Sequence, residues 1–335
     1  MPSSAPNTCG KDQLWVVAYY DLLGIQREML DWANPDATTA KIDWLRTALA
    51  WSLTRCIEAN LEKRNQEAPD LAPTRAFEAI VFGFADTVVL ASPLNNRSGN
   101  PQLMFLSIVL ATAIPLMADQ LAHQALLRVG VEVGLAREIQ TTREYLARRP
   151  EPLQPPQPVS QEHHTAPGSN GSRRRFRDGD IAGPAYAKAY ALANCKGAPP
   201  GIFVGACAVE LLREAAAGNG SFGGRWVTNG KLTLGLLMRL DSNQDYMISG
   251  GGDTWAVDFA NTRHIDKADT DGKTRSQMAK GYEWTCKELA GQPHEGARRK
   301  LQWLKTYFKK RGQLPPTVRS AHEPPAPPDK KEQLR

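Results

Sequence analysis

The sequence predicts an α+β fold in which four strands and two helices follow the order βαββαβ. The first observation is the run LWVVAYY at 14–20, whose β-branched and aromatic residues are typical of a buried strand. This strand leads directly into Asp21. The second observation is a helical repeat of apolar residues over 42–61, preceded by Thr38 and Thr39 as candidate capping residues. That helix is expected to pack on the sheet.

The third observation is a pair of short apolar runs at 77–84 and 87–91, which predict two strands folded back to back. Asp86 lies at the bend between them. A long apolar helix is predicted over 102–127, and it leads into a strand at 128–135. These elements complete the ferredoxin-like order.

The rest of the chain extends this core. Residues 148–177 are rich in Pro, Gln, Ser and Gly and end in a run of arginines, which predicts a flexible insertion. Further elements are predicted as a helix at 183–193, a strand at 201–204, a helix at 207–217, a strand at 255–259, and one or two closing helices within 278–311. With a flexible N-terminus at 1–12 and a disordered tail at 313–335, the prediction is one domain over 13–312.

Composition excludes several classes of protein. The most apolar stretch, 103–118, is shorter than the roughly 20 residues that cross a bilayer, and the N-terminus has no apolar segment of the signal-peptide kind. The five cysteines include no CxxC pair, so neither a disulfide framework nor a zinc site is indicated. The net charge of +6 is partly due to a basic cluster at 298–311, which reads as the polar face of a helix. The chain is therefore expected to be cytoplasmic, with no membrane and no nucleic acid as partner.

Two acids carry the predicted chemistry. Asp21 and Asp86 lie at adjacent points of one sheet, where their carboxylates can share divalent ions. Oxygen ligands favour Mg²⁺ or Mn²⁺, and two such ions suit phosphoryl chemistry. After Asp21, the residues Leu22, Leu23 and Gly24 are predicted to turn into a helix whose free N–H groups would cradle a triphosphate.

Five segments resemble the class III nucleotidyl cyclases, and among them the pyrimidine cyclases of bacterial Pycsar anti-phage systems. They are YYDLLGI at 19–25, FGFADTVVLAS at 82–92, LRVGVEVG at 127–134, GDIAGPAYAKAYALAN at 179–194 and KLQWLKTYF at 300–308. The resemblance implies a class III cyclase catalytic core in which Asp21, Asp86 and the Leu22 carbonyl bind two metal ions. It implies that the ribose 3′-hydroxyl attacks the α-phosphate and expels pyrophosphate.

The resemblance also implies partners: a homodimer with composite active sites, and a separate receptor effector activated by the cyclic product. The base-reading positions differ from those of the purine cyclases. Phe82 stands where adenylyl cyclases carry a lysine, and a phenyl ring donates no hydrogen bond to a purine. Asp180 is retained and suits either uracil or cytosine. UTP is favoured over CTP only because uridylate activity is the commoner in the family.

The transition-state residues of the family are missing. Their asparagine and arginine positions correspond to Ala187 and Ala191, which stabilise no charge. Arg128 and Lys188 lie in neighbouring motifs and are the candidate donors to the phosphates. Three alternatives stay open: a purine cyclase, a degenerate cyclase-fold module that binds a nucleotide without turnover, and a nucleic-acid-binding protein that uses the basic segments.

Overall fold

The computed structural model describes most of the predicted core. The described residues are 13–23, 78–84, 87–93, 100–122, 125–139, 175–194, 200–218, 225–240, 254–261, 274–291 and 295–310, with separate positions at 36, 39, 40, 42, 43, 47 and 49. The structural statements below refer to these residues.

Four central strands and a long helix form the core. They are β1 (Gln13–Leu23), β2 (Glu78–Phe84), β3 (Thr87–Pro93), α1 (Asn100–Ala122) and β4 (Leu126–Ile139). β1 pairs antiparallel with both β3 and β4, and β2 pairs antiparallel with β3. The order β2-β3-β1-β4 is that of the ferredoxin-like fold, so the predicted α+β class and element order are confirmed. Between β1 and β2 the described positions are helical, and Leu49 among them is fully buried.

Further elements extend the sheet on both sides. They are β5 (Arg175–Asp178), β6 (Asp180–Ala182), α2 (Pro184–Ala193), β7 (Gly201–Val204), α3 (Ala206–Ala217), α4 (Arg225–Leu234), β8 (Leu237–Leu240), β9 (Thr254–Val257), α5 (Thr274–Ala290) and α6 (Glu295–Lys310). β5 adds to the edge of β2, whereas β7, β9 and β8 continue the sheet beyond β4. β6 pairs with the last residues of β4.

Two expectations about these elements are corrected. β1 does not end at Asp21 but continues to Leu23, because Leu22 is buried in the core and both leucines pair with β4. The predicted turn into a helix at Leu22 is therefore wrong. β5 overlaps the end of the predicted insertion and pairs in parallel with β2; the residues at 148–174 lie outside the described part.

The two faces of the sheet are covered by different helices. Val16, Ala18 and Tyr20 of β1 face a large core shared with α1, whose described side chains are nearly all buried. The alternate residues Val17 and Tyr19 face a smaller core shared with α2. Asp21 continues this second series, so its side chain belongs to the α2 face. In the described part of the chain, α1 included, no helix is both long and apolar enough to cross a membrane.

A buried hydrogen-bond network ties α6 to the sheet. The Tyr307 hydroxyl donates to Asp258 Oδ1 at 2.8 Å and accepts from the Ala260 N–H at 2.9 Å. The ring of Tyr307 also stacks on Trp303, with centroids 4.9 Å apart. The basic cluster at 298–311 therefore lies largely on α6, which packs on the sheet through its apolar side, as the sequence pattern indicates.

Glu132 of β4 carries a buried carboxylate that contacts the start of α3. Its Oε1 accepts hydrogen bonds from the Val133 N–H at 2.8 Å and the Ala208 N–H at 3.3 Å, so it caps that helix. Burial raises the pKa of Glu132, and these backbone donors oppose the shift. Gly205 lies beside it, and a Cβ there would meet the Glu132 carboxylate, so a larger residue would displace this side chain from its present position.

The raised pKa of Glu132 predicts a pH-dependent stability. Because the folded protein holds this proton to higher pH than the unfolded chain, stability falls as pH rises from the ordinary carboxyl value of 4.5 through the raised folded pKa. Glu132→Gln removes this dependence and keeps an amide oxygen for the two N–H donors. Urea unfolding at a series of pH values should show the variant gaining stability relative to wild type across that window. A difference that does not change with pH would contradict the prediction.

Candidate functional site

An ion pair lies near the end of β1. Arg128 Nη2 donates to Asp21 Oδ2 at 2.9 Å, and the two side chains are only 12% and 11% exposed. The pair forms because Asp21 and Arg128 are direct cross-strand neighbours on β1 and β4. Pairing of this kind holds a carboxylate in one orientation in a largely dry environment. The predicted phosphate donor Arg128 is therefore brought to the predicted metal ligand.

The sheet places the β2–β3 connection beside this pair. Thr87, the first residue of β3, pairs with Asp21 and also with Phe84 at the end of β2. Asp86 directly precedes Thr87 in the chain, but it lies outside the described residues, as does Gly24. β1 has no β3 partner in the described register after Asp21, whereas its pairing with β4 continues through Leu22 to Leu23.

A second cation lies near the pair. Lys300 on α6 is half-buried, and burial together with the positive charge of Arg128 lowers its pKa, while the negative charge of Asp21 opposes that shift. The charges of Arg128 and Asp21 therefore both influence Lys300. Lys300 is the first residue of the resembling segment at 300–308, but the sequence predicted no role for it. Helical spacing alone does not show which basic residue of α6 faces the sheet.

The predicted base-reading residues form a second group around Tyr186 of α2. The Phe82 and Tyr186 rings have centroids 6.1 Å apart, and Asp180 contributes to the raised pKa of Tyr186, behind burial and Tyr190. Phe82 is partly buried and packs against the core on the α2 face. Tyr186 was not predicted, since an aromatic residue on a helix is ordinarily a core residue. Phe82 and Asp180 therefore each interact with Tyr186, and their role in reading a base stays a prediction.

Tyr19 connects the two groups. Its ring meets Tyr186 at 6.0 Å and the exposed Tyr190 at 5.3 Å, and its hydroxyl interacts with Thr87. Burial raises the pKa of Tyr19 to about 12, with smaller contributions that include the negative charge of Asp21. Asp180 itself pairs with Ile139, at the opposite end of β4 from Arg128. In one chain, therefore, the acid pair and the base-reading pair are neighbouring but separate groups.

The outer side of α2 carries the remaining candidates. Ala187, Lys188 and Ala191 are all exposed, whereas Ala185 and Ala189 face the sheet. Lys188 acts electrostatically on Glu132 and is not brought to the Asp21 pair by any described contact. The helix begins after Gly183, which adopts a φ of 136° that L-residues rarely reach. Lys188 therefore stays a prediction, without the direct placement found for Arg128.

The donors present fit a hard divalent ion in part. Asp21 offers a carboxylate two residues before the end of β1, and Leu22 offers a backbone carbonyl next to it. Among the described residues no group of three or more His, Cys, Asp or Glu side chains forms a metal site. Asp21 and the Leu22 carbonyl would hold an ion at this position, and Asp86 or a bound phosphate would contribute further oxygen ligands.

Comparison with known proteins gives weak structural similarity only. No protein-family model and no curated protein matches the chain. Solved structures that match include a bacterial light-regulated adenylyl cyclase, 12% identical with a TM-score of 0.37, over 77% of this chain and 99% of that one. Another structure described as a bacterial light-regulated adenylyl cyclase is 11% identical with a TM-score of 0.39, over 81% of this chain and 58% of that one.

Proposed function

We propose that this chain is a nucleotide cyclase that closes a pyrimidine nucleoside triphosphate, UTP or CTP, to its 3′,5′-cyclic monophosphate with release of pyrophosphate. The observation that carries the proposal is the buried pairing of Asp21 with Arg128 on adjacent strands, at the sheet end where Asp86 precedes Thr87. In this proposal Asp21 binds metal and Arg128 binds phosphate. The described parts of the resembling motifs at 19–25, 82–92 and 127–134 lie on the paired strands β1 to β4.

Metal ions contribute the charge stabilisation in this proposal. Asp21, Asp86 and the Leu22 carbonyl would hold two Mn²⁺ or Mg²⁺ ions, and such ions would supply charge stabilisation to the attacking 3′-oxygen and the leaving pyrophosphate. Arg128 and Lys300 hold the phosphate oxygens by charge-assisted hydrogen bonds. Because Ala187 and Ala191 carry no polar side-chain group, the proposal gives Arg128 and Lys300 the role of donors to the developing phosphate charge.

The base site supports a pyrimidine. Phe82 offers an apolar ring face and no donor, and it contacts Tyr186 close to Asp180. A carboxylate accepts from uracil N3–H or from the cytosine amino group, whereas an aromatic residue in place of lysine removes a purine contact. A purine substrate is the alternative, and it predicts preferential conversion of ATP or GTP.

The proposal includes a homodimer. Asp180 pairs with Ile139 at the far end of β4 from Arg128, so Asp180 and the Asp21–Arg128 pair of one chain lie apart. In a dimer, one active site would combine the Asp21–Arg128 pair of one chain with the base-reading residues of its partner. The exposed side of α2, with Lys188 between small alanines, would then face the other chain. The cyclic product would act on a separate receptor effector in the cytoplasm of a bacterium under phage attack.

A direct assay tests the activity. The protein is incubated with Mn²⁺ and each of the four ribonucleoside triphosphates, and the products are resolved by chromatography and mass spectrometry. We expect cyclic UMP or cyclic CMP together with an equal amount of pyrophosphate. Cyclic AMP or cyclic GMP as the main product would replace the pyrimidine assignment by the purine alternative. Nucleotide binding without any cyclic product would indicate the degenerate module.

A further inference from the structure

The Asp21–Arg128 pair has a consequence for the order in which ligands bind. Arg128 Nη2 already occupies Asp21 Oδ2 at 2.9 Å, and both side chains are largely buried. A buried carboxylate that accepts from a guanidinium has much of its charge compensated. To bind Asp21 Oδ2 while Arg128 keeps its position, a divalent ion would have to come close to the positive guanidinium and displace the Arg128–Asp21 hydrogen bond.

Lys300 strengthens this barrier. It lies close enough to Asp21 and Arg128 for both charges to act on it, so the described side chains around the carboxylate include two cations. A free divalent cation is repelled by both. A triphosphate is attracted to the same two cations. Its oxygens accept bidentate hydrogen bonds from a guanidinium and further hydrogen bonds from an ammonium.

We infer that Arg128 makes metal binding conditional on the triphosphate: the guanidinium pairs with Asp21 in the free protein and transfers to phosphate oxygens when the nucleotide arrives, which releases Asp21 as a metal ligand. This inference rests on the proposed function for the role of Asp21. It assigns Arg128 two partners in succession, first Asp21 and then phosphate, and makes Lys300 a second phosphate-binding cation. The metal and the triphosphate then bind cooperatively, and manganese binds weakly on its own.

Equilibrium dialysis tests this without turnover. The protein is dialysed against Mn²⁺ with and without inorganic triphosphate, which has no base and no ribose to cyclise, and manganese on each side is measured by elemental analysis. For wild type we expect manganese binding at least about tenfold tighter with triphosphate, a change of the size that one unit charge at this separation supports. Asp21→Asn should lose this binding in both conditions and so gives the background from other sites.

Variants separate the roles. Arg128→Gln should bind manganese at least about tenfold more tightly than wild type in the absence of triphosphate, since the competing cation is gone. Lys300→Gln should change it in the same direction by less. The matched control is Arg213→Gln on α3, which removes an arginine that is 50% exposed and pairs with Glu210, and it should leave manganese binding unchanged.

Equal manganese affinity with and without triphosphate in wild type would overturn the inference, and this comparison needs no variant to fold. An Arg128→Gln protein that folds, as judged by circular dichroism, and binds manganese no more tightly than wild type would overturn it as well. These results are independent of the cyclase assay. If cyclic product forms without cooperative binding, the inference is wrong and the proposed function stands. If binding is cooperative but no cyclic product forms, the inference about Arg128 stands and the proposed activity is wrong.

Discussion

Asp21→Asn should reduce formation of the cyclic product at least about a hundredfold, since even residues that only orient metal ligands contribute 10–100-fold to affinity or activity. Asparagine keeps an oxygen for the Arg128 guanidinium but loses the charge that a divalent ion requires. It is therefore a sharper substitution than alanine. Asparagine loses only the counter-charge of Arg128, whereas Asp21→Ala removes the acceptor oxygen as well. Removing one partner of a buried pair in this way costs about 3–5 kcal/mol of stability, so loss of activity in the alanine variant could reflect loss of the fold.

The control for this experiment is Glu210→Gln, which removes an acid that is 60% exposed on α3 and lies outside the proposed site. It should keep full activity. Initial rates are measured with saturating Mn²⁺ and UTP or CTP, and thermal unfolding is followed for both variants. If Asp21→Asn retained most of the wild-type rate, Asp21 would not be a metal ligand and the proposed mechanism would be wrong. Asp86→Asn is expected to behave in the same way.

Gly130→Ala should severely destabilise the fold. Gly130 of β4 lies directly under α2, and a Cβ there would meet the Ala189 carbonyl oxygen, the Ala193 nitrogen at 2.8 Å and Leu192 Cβ at 2.9 Å. Two of these are helix backbone atoms, which have no rotamer to change. Overpacking in cores typically costs about 1–3 kcal/mol, and a clash with backbone belongs at or above the upper end of that range. We expect little folded protein, or a large fall in the urea midpoint.

Gly134→Ala is the matched comparison. It lies on the same strand and the same face of the sheet, but its added Cβ would only reach Ala185, with the nearest atom at 3.5 Å, an ordinary van der Waals contact. Its stability should stay within about 1 kcal/mol of wild type, because a strand interior tolerates alanine as well as glycine. Similar unfolding midpoints for the two variants would show that α2 does not pack against β4 as described.

The sequence was informative where a local pattern and the tertiary fold agree. The continuous β-branched and aromatic run at 14–20 predicts β1, and the apolar runs at 77–84 and 87–91 predict the β2–β3 pair, because short runs of this composition are typical of buried strands. It was less informative at boundaries. β1 continues past Asp21 since its leucines pair with β4, and a long-range partner of that kind leaves no local signal. α4 and β8 were not predicted; Gly230, within α4, interrupts the pattern, although it suits close packing on Ala215 and Ala216.

The candidate site divides in the same way. Asp21 was recognisable in the sequence because an acid follows a buried apolar strand, and Arg128 because it stands in an otherwise apolar one. That these two residues form an ion pair is decided only by the register of β1 on β4, which no local pattern specifies. Lys300 joins them because α6, which lies far along the chain from both residues, docks through Tyr307 and Leu304.

Taken by itself, the sequence determined the α+β class, the βαββαβ order and the two acids as candidates, because strand and helix periodicity and the type of side chain are local properties. The tertiary structure alone decided which charges meet. Cross-strand register joined Asp21 to Arg128, the packing of α2 through Gly130 associated Phe82 with Tyr186, and the docking of α6 supplied Lys300. Contacts between residues far apart in sequence depend on the packing of the whole chain, and for that reason they could not be read from any one segment.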